Sequence, residues 1–422
     1  MTRPPIIALL AGIALAGGSA PAASQSTEAA IRLLNDVRYL SADDLGGRLT
    51  GQPGADSAAS YIARRFEEAG LWPSPNGWFQ EFTVSPDAPI ARSSGLGGAA
   101  ARNVIGVLPG RDSGLRDEIV VVGAHYDHLG PGNFGALDSA GPVHNGADDN
   151  ASGSSALIYI ARQLAAAPPA RTVIFVAFSG EEGGLLGSAY YVKNPVFPLA
   201  TTYAMVNLDM VGRIKNNRLI VFGAGTAAEF PALLDSLNAT AQFDLKASGD
   251  GWGPSDHSSF YGAGKPVLHV FTDLHEDYHR ASDDWEKIEA DGLERVANYT
   301  AEVVRALASR KAPLTFINVP PPPPPVASTS GGGGASLGTI PDMTENPGGV
   351  RLTGVRAGSP ADKAGLRAND IIIGIGDMVV PDLQGMTNAL GQHKPGDLVE
   401  VRYLRDGAEQ KVMVTLGTRG RI

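Results

Sequence analysis

Short apolar runs alternate with amphipathic stretches along the first three quarters of the chain. Ile119–Val122, Val173–Val176, Ala204–Val206, Leu219–Phe222 and Val267–Val270 are nearly unbroken runs of β-branched and other apolar residues. A strand wetted on one face alternates apolar and polar positions, whereas a strand covered on both faces does not. These runs therefore predict central strands with both faces buried. Ser152–Ala165, Leu185–Val192, Ala227–Leu237 and Trp285–Leu307 lie between or after them and read as helices. Upstream, residues 27–40 and 55–70 carry a helical period. In the second, Ala58, Tyr61, Ile62, Ala63 and Phe66 leave Arg64, Arg65, Glu67 and Glu68 for a polar face, and Gly70 is a stop. Trp78–Val84 and Asn103–Leu108 alternate as strands do. Strands alternating with helices predict an α/β fold, a doubly wound mixed sheet with helices on both faces. Ligands in such folds collect at the carboxyl ends of the strands.

The pattern stops near Pro313. Pro320–Pro325 is an unbroken proline run and Gly331–Gly334 an unbroken glycine run, an extended spacer followed by a flexible joint. Beyond it come short strands and turns: Gly349–Leu352, Asp370–Ile375, Val399–Tyr403 and Gln410–Thr415, with a helix around Gln384–Leu390. At the other end, Arg3 precedes an apolar run from Ile6 to Ala16, too short to span a bilayer, and Ala20-Pro21-Ala22 offers small residues for cleavage. The predicted organisation is a signal peptide at 1–22, a main domain at 23–312, a linker at 313–334 and a small β-rich domain at 335–422. The protein is expected to be exported, periplasmic or secreted. No membrane association is expected after signal cleavage, because no other segment is long and apolar enough.

A net charge of -10 argues against a nucleic-acid partner, since phosphate binding needs clustered Lys and Arg. With no cysteine in the chain, thiolate metal sites and Cys nucleophiles are excluded. Any metal must be held by His and carboxylates. Such residues recur where predicted strands end: Gly123–Asp127, Asn145–Gly153, Ser179–Gly183 and Asn207–Met210, followed by the loop Tyr278–Asp283. Together they bring two His and several carboxylates to one edge of the sheet. Carboxylates crowd together only when a cation neutralises them, and His with carboxylates suits zinc. Residues two apart on a strand face the same side. Asp127 can therefore accept the second ring N–H of His125 and fix its tautomer.

The ordered set His-x-Asp, Asp-Asp-Asn-Ala-Ser-Gly, Glu-Glu-Gly, Leu-Asp-Met and a late His, over residues 27–310, resembles the co-catalytic dizinc aminopeptidases of peptidase clan MH, the bacterial leucyl-aminopeptidase type. The resemblance implies two zinc ions and peptide substrates with a free N-terminus. It implies that Asp149 bridges the metals, that His125 and Asp209 complete one, and that Glu182 and His279 complete the other. Glu181 resembles the general base, and the Asp149–Asn150 peptide is expected to be cis. Asp148 competes with Asp149 for the bridging place. His275 reads as a residue on the substrate side, His269 as core, and His128 and His144 as flanking the site. Ser255-Asp256-His257 resembles a fragment near the family's pocket. The same scaffold admits a carboxypeptidase or other amidohydrolase, for which Arg213 or Arg280 would hold a substrate carboxylate. It also admits a glutaminyl cyclase with fewer metals and a non-catalytic peptide-binding protein.

The stretch Ser359-Pro360-Ala361-x-x-Ala364-Gly365-Leu366-x-x-x-Asp370-Ile371-Ile372, within residues 335–418, resembles a bacterial PDZ domain, with Leu337–Ile340 at its carboxylate-binding loop. The implied partner is a peptide or protein C-terminus, added as a strand to a sheet edge. The linker's composition predicts a module that transmits no geometry to the main domain, so hydrolysis of small substrates is expected not to need it.

Overall fold

The computed structural model describes residues 26–87, 94–138, 140–249, 251–320, 334–344 and 348–418. The expected signal peptide lies outside these residues. Among them no helix is long and apolar enough to cross a membrane.

The main domain begins with helix α1 (Glu28–Leu40), whose N-cap Thr27 accepts a hydrogen bond from the Ala30 amide at 3.0 Å. Helix α2 (Pro53–Glu68) follows, with Pro in its first turn. Strands β1 (Trp72–Pro73), β2 (Phe79–Thr83), β3 (Ala100–Leu108) and β4 (Ile119–His125) lead to helix α3 (Gly153–Ala166). Then come β5 (Thr172–Phe178), helix α4 (Leu186–Lys193), β6 (Thr202–Leu208), β7 (Arg218–Phe222), helix α5 (Phe230–Ala241) and β8 (Asp244–Ser248). Helix α6 (His257–Gly262), β9 (Val267–Phe271) and helix α7 (Ala290–Ser309) complete the domain.

The strands form one mixed sheet in the order β1-β3-β5-β4-β6-β9-β7-β8, with β2 also on β3. Its centre, β5-β4-β6-β9, is parallel, while β3 and β7 join it antiparallel. The apolar runs behave as predicted: every residue of β4, β5 and β9 is buried. Alternate residues feed two cores. Val120, Val122 and Ala124 pack in the larger core, with residues of α1, α2, α3 and α7. Ile119 and Val121 pack in the smaller one, with Tyr191 of α4 and Phe260 of α6.

Arg48 ties the scaffold to the loops above it. It is 1% exposed and left-handed, with φ 47°. Its guanidinium donates to the carbonyls of Tyr126 and Asn145 at 2.6 Å each, Gly146 at 2.9 Å, and Leu40. Burial lowers its pKa to about 10, leaving it charged at neutral pH. Arg48→Met is expected to destabilise the fold by about 3 kcal/mol or more, since each buried carbonyl left unpaired costs about 1–3 kcal/mol. A lower denaturant midpoint at unchanged m-value would register this. An unchanged midpoint would mean that water replaces the guanidinium without loss.

After α7 the chain stays on the main domain up to Val319, beyond the boundary expected at 312. The Val319 amide donates to Tyr261 Oη at 2.7 Å, and Trp252 Nε1 donates to the Val319 carbonyl at 2.9 Å. The small domain contains β10 (Ala335–Ser336), β11 (Thr339–Pro341), β12 (Val350–Val355), helix α8 (Pro360–Lys363), β13 (Ile371–Ile375) and β14 (Met378–Val379). Helix α9 (Leu383–Gly391), β15 (Leu398–Arg405), β16 (Ala408–Thr415) and β17 (Gly417–Thr418) close it. Its sheet runs β11-β12-β13-β15-β16, which leaves β11 on an edge.

The two domains touch. Arg218 of β7 pairs with Asp342 and donates to Thr344 Oγ1 at 3.1 Å. Met343 packs on a main-domain cluster built from Met210, Ile220 and Phe271. The linker's composition predicted no such contact.

Candidate functional site

The five motifs meet at the carboxyl edge of the parallel strands. His125 is the last residue of β4, and Asp209 directly follows β6. Glu181 and Glu182 lie in the turn between β5 and α4, and His279 in the loop after β9. Asp149 comes from the irregular turn 147–152 that opens α3, and the Asp149–Asn150 peptide is cis. A single carboxyl group, Asp149, faces both histidines. Its Oδ1 is 3.3 Å from His125 Nε2, and its Oδ2 is 3.2 Å from His279 Nε2. Asp209 Oδ1 is 3.4 Å from His125 Nε2, and Glu182 Oε2 is 3.1 Å from His279 Nε2.

His125 Nε2 and Asp209 Oδ1 are buried and take part in no hydrogen bond. Two such polar atoms left facing one another need a partner of another kind. Donor atoms about 2.0–2.1 Å from a tetrahedral zinc lie roughly 3.3–3.4 Å apart, close to the separations found here. Each ring also has its other nitrogen engaged, Nδ1 of His125 with the Asp127 carbonyl at 3.2 Å and Nδ1 of His279 with the Gly135 carbonyl at 2.9 Å. Those bonds leave the Nε2 lone pairs aimed inwards, as metal ligation requires. The residues present therefore fit zinc, in two clusters: His125 with Asp149 and Asp209, and Asp149 and Glu182 with a histidine.

Two histidines approach the second cluster. His128 Nδ1 is hydrogen-bonded to Glu182 Oε1 at 2.6 Å, while His279 faces Oε2 of the same carboxylate. His128 Nδ1 is taken up by that bond and its Nε2 is buried without a partner, whereas His279 Nε2 faces both Asp149 and Glu182; His128 therefore holds Glu182 in place from the side. Replacing such a supporting partner typically costs 10–100-fold in metal affinity or activity, so His128→Ala is expected to weaken zinc retention roughly tenfold. Competition with a chromophoric chelator measures it. Retention equal to wild type would leave His128 a packing residue.

Charge in the site follows burial and pairing. Burial opposes protonation of His125 and His279, yet carboxylates outweigh it and raise both well above the ordinary value: Glu181 and Asp209 at His125, Glu182 and Asp149 at His279. Burial alone would raise Glu182, but His279 and His128 hold it down at about 2. Glu181 goes the other way. Burial, reinforced by Glu182 and Asp209, pushes it well above the carboxylate range despite His125.

Asp127 is placed differently from the sequence expectation. Its carboxylate is 3.8 Å from His125 Nδ1, farther than its own carbonyl. Instead Oδ1 accepts the Glu181 amide at 3.1 Å and Oδ2 accepts Thr50 Oγ1 at 3.0 Å. β4 ends at His125, so the alternation of a strand no longer governs Asp127. Its burial raises the carboxyl to about 6.

Asp148 turns away from the histidines of the cluster, accepting the Gly212 amide at 2.7 Å and lying 3.2 Å from His275 Nε2. Asp283 went unnoticed in the sequence as a supporting group. Its Oδ2 accepts the amides of both Asp148 and Asp149 at 3.0 Å, fixing the turn that presents Asp149. Ser255-Asp256-His257 forms no triad, for Ser255 Oγ accepts from Asn207 Nδ2 at 2.9 Å while His257 stacks on His269 with centroids 4.3 Å apart. Burial keeps both of these histidines neutral, His269 down at about 4. His144 binds Asp138 at 2.6 Å, and Asp138 accepts the Ala281 amide at 2.9 Å, which clips loop 129–144 to the segment carrying His279.

Residues 103–304 match the profile of peptidase family M28, and residues 335–416 match that of the PDZ domain. The chain carries an M28 peptidase domain over the first match and a PDZ domain over the second. Among curated relatives, aminopeptidase YwaD of Bacillus subtilis is 30% identical over 226 residues, 51% of this chain and 47% of its own. Leupeptin-inactivating enzyme 1 of Streptomyces exfoliatus is 29% identical over 242 residues, 57% of this chain and 48% of its own. The chain thus spans about half the length of these relatives. A zinc aminopeptidase from Bacillus subtilis shares the M28 domain's fold, with TM-score 0.55 at 19% identity, covering 67% of this chain and 96% of that one. Porphyromonas gingivalis glutaminyl cyclase shares it with TM-score 0.53 at 19% identity, covering 65% and 96%. The scaffold therefore does not separate the two activities, and the side chains of the M28 domain must.

Proposed function

We propose that the protein is a two-zinc aminopeptidase that removes N-terminal residues from peptides. The observation carrying this reading is the Asp149 carboxyl group, whose two oxygens face two different histidines, each with a further carboxylate of its own. His125, Asp149 and Asp209 would hold one zinc, and Asp149, Glu182 and His279 the other. When bound, the pair supplies an activated water and a polarised substrate carbonyl. Glu181 Oε2 lies 3.8 Å from His125 Nε2, beside the metal positions. In this reading it takes the proton of the attacking water and passes it to the leaving amine. Asp127 sets Glu181 in place through the backbone amide.

Two further observations favour an aminopeptidase. Of the two curated relatives described above, one is named an aminopeptidase and the other a leupeptin-inactivating enzyme. Arg213, one of two arginines that a carboxypeptidase could have used, is engaged by Asp277 at 2.6 Å and His275 at 3.0 Å. The PDZ domain is proposed to take a peptide or protein C-terminus at the β11 edge, and the N-terminal sequence supports export to the periplasm or beyond. The test is a matched pair of peptides, one with a free and one with an acetylated N-terminus, followed by mass spectrometry. Stepwise shortening of the free peptide alone is expected. Shortening of both from the C-terminus would establish a carboxypeptidase instead.

A further inference from the structure

The PDZ domain reaches the M28 domain beside the metal centre. β11 ends at Pro341, and the next three residues make the contact. Asp342 pairs with Arg218 of β7, Thr344 accepts from the same guanidinium, and Arg218 lies 3.8 Å from Asp273 beyond β9. Met343 packs against the cluster of Met210, Ile220 and Phe271, and Leu274 and Tyr278, also partly buried, pack against the same cluster. Two members of that cluster adjoin proposed ligands in sequence. Met210 follows Asp209 and has φ 50°, and Tyr278 precedes His279 and stacks on its ring with centroids 3.9 Å apart. His279 itself has φ 55°. Both ligands thus come from irregular backbone rather than from a strand, and one apolar cluster lies behind both segments.

We infer that Met343 is a positioning residue of the catalytic centre, contributed by the PDZ domain and holding the segments that carry Asp209 and His279. The inference rests on the proposed reading of those residues as ligands. A flexible thioether fills an irregular gap between loops well, and the Arg218–Asp342 pair fixes where it is inserted. A shift of even about 1 Å in a ligand segment is enough to cost turnover. The PDZ domain is then part of the working catalytic unit, not a detached module on a flexible tether.

The test uses the full chain. Met343→Ala is expected to speed zinc release to a chelator and to lower kcat on a small amino-acid amide, roughly 3- to 10-fold, with KM unchanged, at the low end of effects from residues behind metal ligands. Asp342→Ala, which breaks the Arg218 pair, should move both readouts the same way. Met343→Leu should restore them, because the apolar volume is nearly kept. Met413→Ala, at a position 52% exposed on β16, is the control and should change neither. Wild-type zinc binding with Met343→Ala and Asp342→Ala indistinguishable from it overturns the inference alone. Wild-type protein that binds no zinc overturns the functional reading, and this inference with it.

Discussion

Glu181→Gln is expected to leave zinc content near that of wild type and to lower kcat about 10²–10⁴-fold, the usual contribution of a positioned general base. Glu181 and Glu182 are neighbours in a single turn, yet their surroundings differ. Glu182 has one oxygen on His128 and the other facing His279. The Glu181 carboxylate lies 3.8 Å from the Nε2 of His125, and Asp127 anchors its backbone. Glutamine keeps the size of the side chain and removes the basic oxygen, so the chemistry should fail while the metal stays. Glu182→Gln should do the reverse, losing metal first and regaining part of its rate in excess zinc. A Glu181→Gln protein that lost its zinc but worked once zinc was restored would exchange the two roles.

The second large effect is expected at Asp149. It is 3% exposed, and its carboxyl group faces both histidines. Asp149→Ala removes an oxygen from both proposed positions at once, so activity should fall to background. The stabilisation that zinc gives the fold should fall with it. A ligand binding only the folded state adds about 4 kcal/mol at 1,000 times its Kd. Zinc should therefore raise the melting temperature of metal-stripped wild type by several degrees and leave Asp149→Ala nearly unmoved. Asp209→Ala, which touches one position only, should retain part of the shift. An Asp149→Ala protein stabilised by zinc as fully as wild type would show that the bridge lies elsewhere.

The parts of this account that the sequence disclosed are local in origin. Val120 to Ala124 and Val173 to Ala177 have no polar residues, and strands buried on both faces need none. His125 ends such a strand, and Glu182 and Asp209 follow one within a few residues, so these motifs are legible beside the runs that position them, while Asp149 and His279 come from loops farther along. β8 escaped notice because Asp244–Ser248 is a largely exposed, polar edge strand whose pairing, not its pattern, makes it a strand. The last helix begins at Ala290 rather than Trp285 because Ile288 and Glu289 take extended backbone. His128, Asp283 and Arg48 act through hydrogen bonds to segments far along the chain, and nothing in a local pattern announces such partners. The same holds for Asp342 and Met343. Proline and glycine runs describe how a linker bends, not where the domains at its ends come to rest.

The central claim is a pair of metals sharing Asp149, and the direct measurement is elemental analysis of the full chain after zinc loading and removal of excess. The account predicts a stoichiometry approaching two zinc ions per chain, falling to about one in Asp209→Ala as one of the two positions loses its own carboxylate. A firm value of one for the wild-type chain would contradict it and turn the reading towards a single-metal enzyme on the same fold.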